Sequence, residues 1–600
     1  MNIKKGLTIF IFILLLINVN VYALNRAVID ITQMDITDLS EALNKELITS
    51  EELVRLYLDR INEFDHLYNS IIDINDEAIE KARRLDEERA SGNVRGIMHG
   101  IPIVVKGNID VYGMRTTAGS NALRDNYPRQ NAFAVQRLID EGAIIIATTN
   151  LSAFGFRASS SISDFGRVNN AFNPAFTAHG SSGGTAVAVR AHFAAAGLGT
   201  DTNASVRSPA AANSLIGLRP TVGLVSRVGV LPYDVRRDTL GPITRTVQDS
   251  IIIMNIINAH DERDNQSINQ DPVVYNPTMK NLEGITIGVP EAFIRGSNQN
   301  LMRENWLTYG PITSLMETAL EKLEEQGATV VFIEEYWTGQ TQNWYQTSLS
   351  GFTFCDGFNR YVQGTTGRIR SFSQLGFSTE FCNSSGNFTT QNNIKDLYRG
   401  YIENIMERYN LDVIAYPTNT NKLVRHGETD NFIGLSYHAS STINFPSIAL
   451  PLGFDNDDLP YGIEFMAPKN REDLLFEIAL IHERVNNHNI NPDITPSLYE
   501  IPEVVSILVE KYRNRLTKEL NFDFEYEWLE LVRNYFRNYS ENENYLEDAE
   551  ALIELYEYNL VQSEMLTKNS PIKSFLMISG SIVVIFILFI IVFRVIKKLQ

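Results

Sequence analysis

The sequence predicts an α/β fold, a β-sheet with helices on its faces, and two observations carry that prediction. The chain has 600 residues, of which 44% are hydrophobic and 21% are charged, a composition typical of a globular protein with a large core. Short runs rich in β-branched residues alternate along the chain with segments of helical period. Such alternation is typical of a sheet with helices packed against it.

Helical patterns open the body of the chain. Thr49 stands three residues before Glu52, which is the spacing of a capping box, and leucines follow near helical spacing. The charged segment 76–92 reads as a surface helix that stops at Gly92. Both segments are predicted to be helices.

Six apolar runs predict strands between these and later helices. Each is short, buried in character and bounded by turn residues or by a helical pattern. A seventh apolar stretch, 185–199, is interpreted as a helix or a buried segment. The six predicted strands are GIPIVVK (100–106), AIIIATT (143–149), GITIGVP (284–290), GATVVFIE (327–334), DVIAYPT (412–418) and SIALPLG (447–453).

The two ends of the chain predict export and membrane attachment. Residues 1–23 combine two lysines, an apolar stretch and Val-Tyr-Ala, the layout of a cleaved signal peptide; an uncleaved anchor is the alternative. Residues 574–593 carry no charge over a length that spans a bilayer, although a buried helix has the same pattern. The basic residues of 594–600 place the C-terminus in the cytoplasm.

These segments give the predicted domain organisation. The main body is 24–497, and it is predicted to be exported, to the periplasmic or extracellular side. An acidic, aromatic-rich helical stalk of 498–573 connects it to a single transmembrane helix. The domains are a signal peptide (1–23), the body (24–497), the helical extension (498–573), the transmembrane helix (574–593) and a cytoplasmic tail (594–600).

Charge and cysteine content limit the classes of partner and cofactor that the protein can have. The net charge of −20 and the absence of a long basic cluster exclude a nucleic-acid partner. Cys355 and Cys382 are the two cysteines, and either a disulfide or two buried thiols fits an exported chain. Two cysteines and nine scattered histidines show no metal-ligand spacing, so neither a metal nor a cofactor is predicted.

A stretch rich in glycine and serine, 179–212, has two interpretations: a flexible linker or a loop that holds a nucleophile. Residues 180–184 formally fit the G-x-S-x-G nucleophile elbow, but that elbow needs a preceding strand, and the residues around Pro174 are loop-like. A serine–lysine arrangement is the alternative. Lys106 ends an apolar run, and burial there would lower its pKa enough for it to act as a base.

Three segments carry a resemblance to a known family. GSSGG (180–184), the stretch 197–232 beginning GLGTDTNASVRSP, and HGIPIVVKGNIDVYGMRTTAGS (99–120) resemble the amidase signature family of serine hydrolases, over roughly residues 35–490. The resemblance implies a large single-domain mixed sheet covered by helices on both faces. It also implies an amidase that cleaves linear carbon–nitrogen amide bonds.

The resemblance also implies site residues. Ser205 is the expected nucleophile, Ser181 a bridging serine preceded by a cis peptide bond, and Lys106 the base. The backbone N–H groups of the nucleophile loop are expected to bind the oxyanion, and two charged residues are expected to brace that loop. The oxyanion residues are Thr202, Asn203 and Ala204, together with Ser205 itself, and the bracing residues are Asp201 and Arg207.

The sequence departs from the family pattern at four positions. Asn203 and Ala204 stand where Gly-Gly is usual, so we expect any positive φ at Asn203 and ordinary geometry at Ala204. His179 replaces a glycine, and Gly107 stands where an acidic residue often follows the lysine. These departures keep open a catalytically weak or inactive membrane-tethered binding protein.

The predicted function is therefore that of an exported, membrane-anchored amidase. It would form an acyl-enzyme with a small-molecule, lipid or peptide amide. A cytoplasmic ammonia-generating subunit of a tRNA-linked complex is a further alternative, against which the signal segment and the negative charge argue. The sequence leaves the particular amide and the oligomeric state open.

Overall fold

The computed structural model describes residues 31–294, 310–336, 340–341, 343–344, 353–377, 388–428, 438–486, 490–492 and 495. Ile29–Ser497 form one compact unit. The predicted signal peptide, helical extension, transmembrane helix and tail lie outside the described residues. Within the described ranges, no helix combines the length and apolarity needed to cross a bilayer.

A single large sheet forms the centre of this unit. In the described part of the chain it has eleven strands, in the order β1-β3-β2-β6-β8-β7-β12-β13-β11-β9-β10, and β4 and β5 form a separate hairpin. The strands are β1 Ile71–Ile74, β2 Pro102–Lys106, β3 Ile144–Thr149, β4 Ile162–Ser163, β5 Gly166–Arg167, β6 Ala196–Asp201, β7 Ile216–Arg219, β8 Thr239–Thr244, β9 Thr286–Pro290, β10 Thr329–Ile333, β11 Val413–Pro417, β12 Ser447–Phe454 and β13 Pro460–Met466.

The sheet is mixed. β2 pairs in parallel with both β3 and β6, and β9 pairs in parallel with both β10 and β11. The strands between these two groups pair antiparallel. Helices connect the strands, as the alternating pattern predicts, so the α/β class is confirmed.

Both helices that the sequence predicts are present, as Ser50–Tyr68 and Ala78–Ala90. Thr49 caps Ser50–Tyr68 in a capping box with Glu52, in which each side chain hydrogen-bonds the other residue's backbone N–H. The principal helices are Ile36–Asn44, Ser50–Tyr68, Ala78–Ala90, Phe133–Asp140, Gly183–Arg190, Arg207–Ala211, Val247–Ile257, Gly310–Glu325, Phe354–Tyr361, Phe388–Arg408, His438–Ile443 and Glu472–Val485.

All six predicted strands are present, and the apolar stretch 185–199 divides into two elements. Its first part belongs to the helix Gly183–Arg190, and its last part belongs to β6, because a tight turn at His192 (φ 56°) reverses the chain between them. Periodicity alone could not separate the two, since both are buried throughout. This division matters because β6 leads directly into the predicted nucleophile loop.

Cys355 is disulfide-bonded. The other cysteine of the sequence, Cys382, lies outside the described residues. Of the two alternatives left open by the sequence, the disulfide is therefore the one that Cys355 adopts.

Candidate active site

The candidate site lies where β2 and β6 end. These strands are parallel neighbours, so their carboxyl ends meet at one edge of the sheet. Lys106 is the last residue of β2 and Asp201 the last of β6. The helix Gly183–Arg190 packs beside them and brings Ser181 to the same place. Topology thus assembles three segments that are distant in sequence.

Lys106 is completely buried, and its ammonium contacts two hydroxyl groups. Its Nζ donates to Ser181 Oγ at 2.7 Å and to Thr200 Oγ1 at 2.7 Å, and it also lies 3.3 Å from the Thr200 carbonyl oxygen. No carboxylate of the described residues lies within ion-pair distance of it. The ammonium is therefore hydrogen-bonded, but no negative charge among the described residues pairs with it.

Burial lowers the pKa of Lys106 from its ordinary 10.5 to about 7. The negative charges of Asp201 and Asp238 act in the opposite direction and limit the fall. A substantial neutral fraction at physiological pH follows. Neutral amines accept protons, so this geometry provides a base next to the Ser181 hydroxyl.

Ser181 lies in a densely packed turn. The Gly180–Ser181 peptide bond is cis, and the Ser181 carbonyl accepts hydrogen bonds from Ser152 N–H at 3.1 Å and from Ser161 Oγ at 3.3 Å. A Cβ on Gly180 would stand 2.5 Å from the Ser160 carbonyl oxygen. These contacts exclude the flexible-linker interpretation of the segment.

Close packing also explains why glycines follow Ser181. A Cβ on Gly184 would lie 2.2 Å from the Asn150 carbonyl oxygen and 2.6 Å from that of Ser70. Only glycine allows the start of this helix to approach the neighbouring backbone so closely. The glycines therefore serve the packing that fixes Ser181.

Ser205 follows β6 on the neighbouring loop and is 5% exposed. Its carbonyl accepts a hydrogen bond from Ser182 N–H at 3.1 Å, which joins the two serine segments. In the part of the chain that the structure describes, its hydroxyl makes no hydrogen bond. The backbone N–H groups of Asn203 and Ser205 likewise have no acceptor among those residues, so both can serve a ligand.

Two expectations for Ala204 are wrong. The positive φ of the loop falls at Ala204 (φ 104°) and not at Asn203. The Ala204 N–H is also occupied, because it donates to Asp201 Oδ1 at 2.9 Å instead of pointing toward a substrate. The Asp201 carboxylate, which also accepts from Val206 N–H at 3.1 Å, is what bends the loop in this way.

Asp201 and Arg207 form the pair expected from the sequence. Arg207 Nε lies 3.1 Å from Asp201 Oδ2, and both side chains are fully buried. Arg219 adds a second ion pair to Asp201 at 3.0 Å, and Arg207 also contacts Glu464. Although burial raises the pKa of Asp201, the two guanidinium groups outweigh it and hold that pKa below its ordinary value.

Sequence reasoning missed three residues that complete the site. Thr200 shares the Lys106 ammonium with Ser181. Asp238 accepts from Thr202 Oγ1 at 2.6 Å, and Arg237 Nη1 donates to Asn203 Oδ1 at 3.2 Å, so both hold the nucleophile loop. Thr200 directly precedes Asp201 and could have been suspected; the other two come from a distant loop, and nothing in their spacing indicates the contact.

The nucleophile-elbow alternative finds no support. No described strand runs into Ser182, and its hydroxyl donates to the Thr200 carbonyl at 3.3 Å. His179, at the position where the family usually has glycine, adopts φ 56°, and its Nδ1 lies 2.8 Å from Ser208 Oγ. Gly107, the other departure, has a reason in packing: a Cβ there would stand 2.9 Å from the Thr149 carbonyl oxygen.

Within the described ranges, no group of three or more histidine, cysteine or acidic side chains could hold a metal ion.

Comparison with known proteins gives the same picture. The family model for amidases matches residues 52–476. The A subunit of the glutamyl-tRNA(Gln) amidotransferase of Caldanaerobacter subterraneus subsp. tengcongensis is 29% identical over 493 residues, which cover 77% of this chain and 98% of that protein.

Solved structures agree. A peptide amidase in complex with the competitive inhibitor chymostatin superimposes with a TM-score of 0.69 at 30% identity, covering 77% of this chain and 99% of that one. The native peptide amidase of Stenotrophomonas maltophilia gives a TM-score of 0.68 at 29% identity, with the same two coverages. The chain therefore belongs to the amidase signature family, whose enzymes hydrolyse carbon–nitrogen amide bonds.

Proposed function

We propose that this chain is an exported, membrane-anchored amidase that uses Lys106, Ser181 and Ser205 to cleave a carboxamide. The observation that carries the proposal is the 2.7 Å hydrogen bond between the buried Lys106 Nζ and Ser181 Oγ. A buried lysine with a pKa of about 7, bonded to a serine hydroxyl, is an arrangement suited to proton transfer.

In the proposed mechanism, neutral Lys106 accepts the Ser181 proton while Ser181 accepts the Ser205 proton. Ser205 Oγ then attacks the amide carbonyl carbon and forms a tetrahedral intermediate. The relay runs backward to protonate the leaving amine, and the C–N bond breaks. Water, activated by the same relay, attacks the acyl-enzyme and releases the carboxylic acid.

The negative oxygen of the intermediate needs hydrogen-bond donors. The N–H groups of Asn203 and Ser205, which have no acceptor among the described residues, supply them in this proposal, with Thr202 beside them. Ala204 is left out, since its N–H already donates to Asp201. Removal of a single oxyanion donor costs about 2.7–4 kcal/mol in other serine hydrolases.

The proposal is tested with a fluorophosphonate, which modifies activated serines. We expect the full-length protein to be labelled at Ser205, as located by peptide mass spectrometry, and the Ser205→Ala variant to remain unlabelled. Thermal unfolding of both proteins checks that the variant is folded. Folded protein that resists labelling would favour the alternative, an inactive binding protein on the same fold.

Export and membrane attachment are supported by the apolar segments 1–23 and 574–593 and by the disulfide at Cys355. Disulfides persist mainly in oxidising compartments outside the cytoplasm. Cell fractionation, with protease digestion of intact cells, tests the topology. We expect the body to be membrane-bound and cleavable from outside, and a protected body in the cytosolic fraction would contradict the proposal.

The relatives' names suggest a second function, that of one component of an amidotransferase. The acidic charge and the predicted signal segment argue against a tRNA-linked role. Peptide, lipid and small-molecule amides remain the candidate substrates. Hydrolysis assays over amides of graded acyl length, with the Ser205→Ala variant as control, distinguish among them.

A further inference from the structure

A lysine outside the catalytic set has no partner for its charge among the residues that the structure describes. Lys395 lies on the helix Phe388–Arg408 and is half-buried. In the part of the chain that the structure describes, its ammonium makes neither a hydrogen bond nor an ion pair. The side chain is partly exposed, so its charge is within reach of an anionic group from outside the protein.

The neighbours of Lys395 are cationic. Burial and the positive charges of Arg399, Arg237 and Arg219 lower the pKa of Lys395 to about 8, and Asp396 opposes them only in part. Lys395 therefore still carries its proton at neutral pH. We call Arg219, Arg237, Lys395 and Arg399 the cationic cluster.

The carboxylates around the cationic cluster are already engaged. Asp396 pairs with Arg399 at 3.1 Å. Asp234 accepts from Arg237 at 2.9 Å and from Arg236 at 2.7 Å. Arg219 is bound to Asp201. Among the described residues, Lys395 is the member of the cluster whose charge has no counter-ion.

The cationic cluster borders the candidate active site. Arg237 Nη1 donates to Asn203 Oδ1 at 3.2 Å, two residues before Ser205. On its other side, the Arg236 carbonyl accepts from Asn444 Nδ2 at 3.1 Å. The adjoining Ile443 carbonyl accepts from Arg399 Nε at 3.2 Å, one helical turn from Lys395. A chain of direct contacts thus joins the lysine's helix to the nucleophile loop.

Lys395 adds one uncompensated positive charge among the described residues, whereas the net charge of the whole chain is −20. An anion is repelled by the protein in general but attracted at the cationic cluster. A positive site beside a reaction centre is suited to orient a substrate that carries a negative group.

We propose that Lys395 anchors a subsite for an acidic group, such as a carboxylate, on the amide substrate. The inference rests on the proposed function, because it concerns the substrate of the same serine. The carboxylate would complete the coordination of the ammonium and fix the amide over Ser205. Arg237 and Arg399, already paired, would add long-range attraction without direct contact.

The test uses a series of alkyl fluorophosphonates of graded length, each made with a terminal carboxylate and as its neutral methyl ester. The measured quantity is the ratio of the two labelling rates at Ser205. We expect the carboxylate probe to react about tenfold faster at one chain length, the effect of one charge-assisted contact. The ratio should fall to about one or below in Lys395→Met and persist in Lys395→Arg.

Lys469→Met is the matched control, since it removes one positive charge from an exposed position. Its ratio should equal that of the parent protein. A loss of general reactivity would slow both probes alike, so a fall in the ratio reports on the charge, and thermal unfolding checks that each variant is folded. Equal rates for both probes at every length, or a carboxylate preference that survives Lys395→Met, would overturn the subsite. Failure of both probes to label Ser205 would instead overturn the proposed function.

Discussion

Two buried ionisable groups lie side by side at the ends of β6 and β2, and they differ in whether an opposite charge pairs with them. Asp201 is matched by the guanidinium groups of Arg207 and Arg219 and by two backbone N–H groups. Among the described residues, Lys106 has only the neutral oxygens of Ser181 and Thr200 as partners. Both side chains are completely buried.

The difference explains what each group can do. A buried charge with partners keeps its ionisation, so Asp201 remains a carboxylate and fixes the nucleophile loop. A buried charge without a counter-ion gives up its proton more easily, which brings the pKa of Lys106 to about 7. Asp201, which has ion-pair partners, shapes the loop, whereas Lys106, which has no counter-ion among the described residues, is the residue proposed to move protons.

The largest expected effect is that of removing the Lys106 amine. Lys106→Met should lower kcat by about 10²–10⁴-fold, the contribution of a general base, and leave the fold intact because methionine fills the same apolar space. Steady-state hydrolysis and circular dichroism measure the two. Lys106→Arg is a stricter variant, since guanidinium stays protonated, and activity retained in it would contradict a base role.

Breaking the paired cluster should affect stability first. Asp201→Asn leaves Arg219 without a carboxylate in the interior, for which we expect a loss of about 3–5 kcal/mol in the free energy of unfolding. Denaturant titration measures it. The control is Asp473→Asn, which disrupts an exposed pair with Arg471, and we expect little change there. Similar losses in both variants would remove the distinction between the clusters.

The pH dependence follows from the lysine alone. Below about pH 7, kcat/KM should fall about tenfold per pH unit as Lys106 becomes protonated, and above it should level off. The free energy of unfolding also rises with pH. Between about pH 7 and 10.5 the unfolded chain binds more protons at Lys106 than the folded chain does, so the contribution of Lys106 to stability increases over this range. A pH–rate profile that stays flat from pH 5 to 8 would contradict the assignment.

The smallest effect tests how Asp201 shapes the loop. Ala204 adopts φ 104°, a region costly for residues with a Cβ. Ala204→Gly should therefore stabilise the protein by about 0.5–1 kcal/mol. Ala210→Gly, in the neighbouring helix Arg207–Ala211, should destabilise it by about 1 kcal/mol. Two changes of the same sign would argue that the loop is not strained at Ala204.

Local patterns in the chain were enough to predict the α/β class, the helices with clear caps and six strands, because these depend on local period and turn residues. They also singled out Lys106, as a lysine at the end of an apolar run. The boundary between Gly183–Arg190 and β6 escaped prediction, since a fully buried segment has no contrast between its faces.

Only the tertiary structure shows which side chains contact one another at the site. The parallel pairing of β2 and β6 places Lys106 at the nucleophile loop, and long-range contacts bring Arg219, Arg237 and Asp238 to the same loop. The conformation of Ala204 follows from the Asp201 carboxylate and contradicts the residue's own preference. Neighbours in sequence set local geometry, but the partners that set a pKa or a strained φ come from elsewhere in the chain.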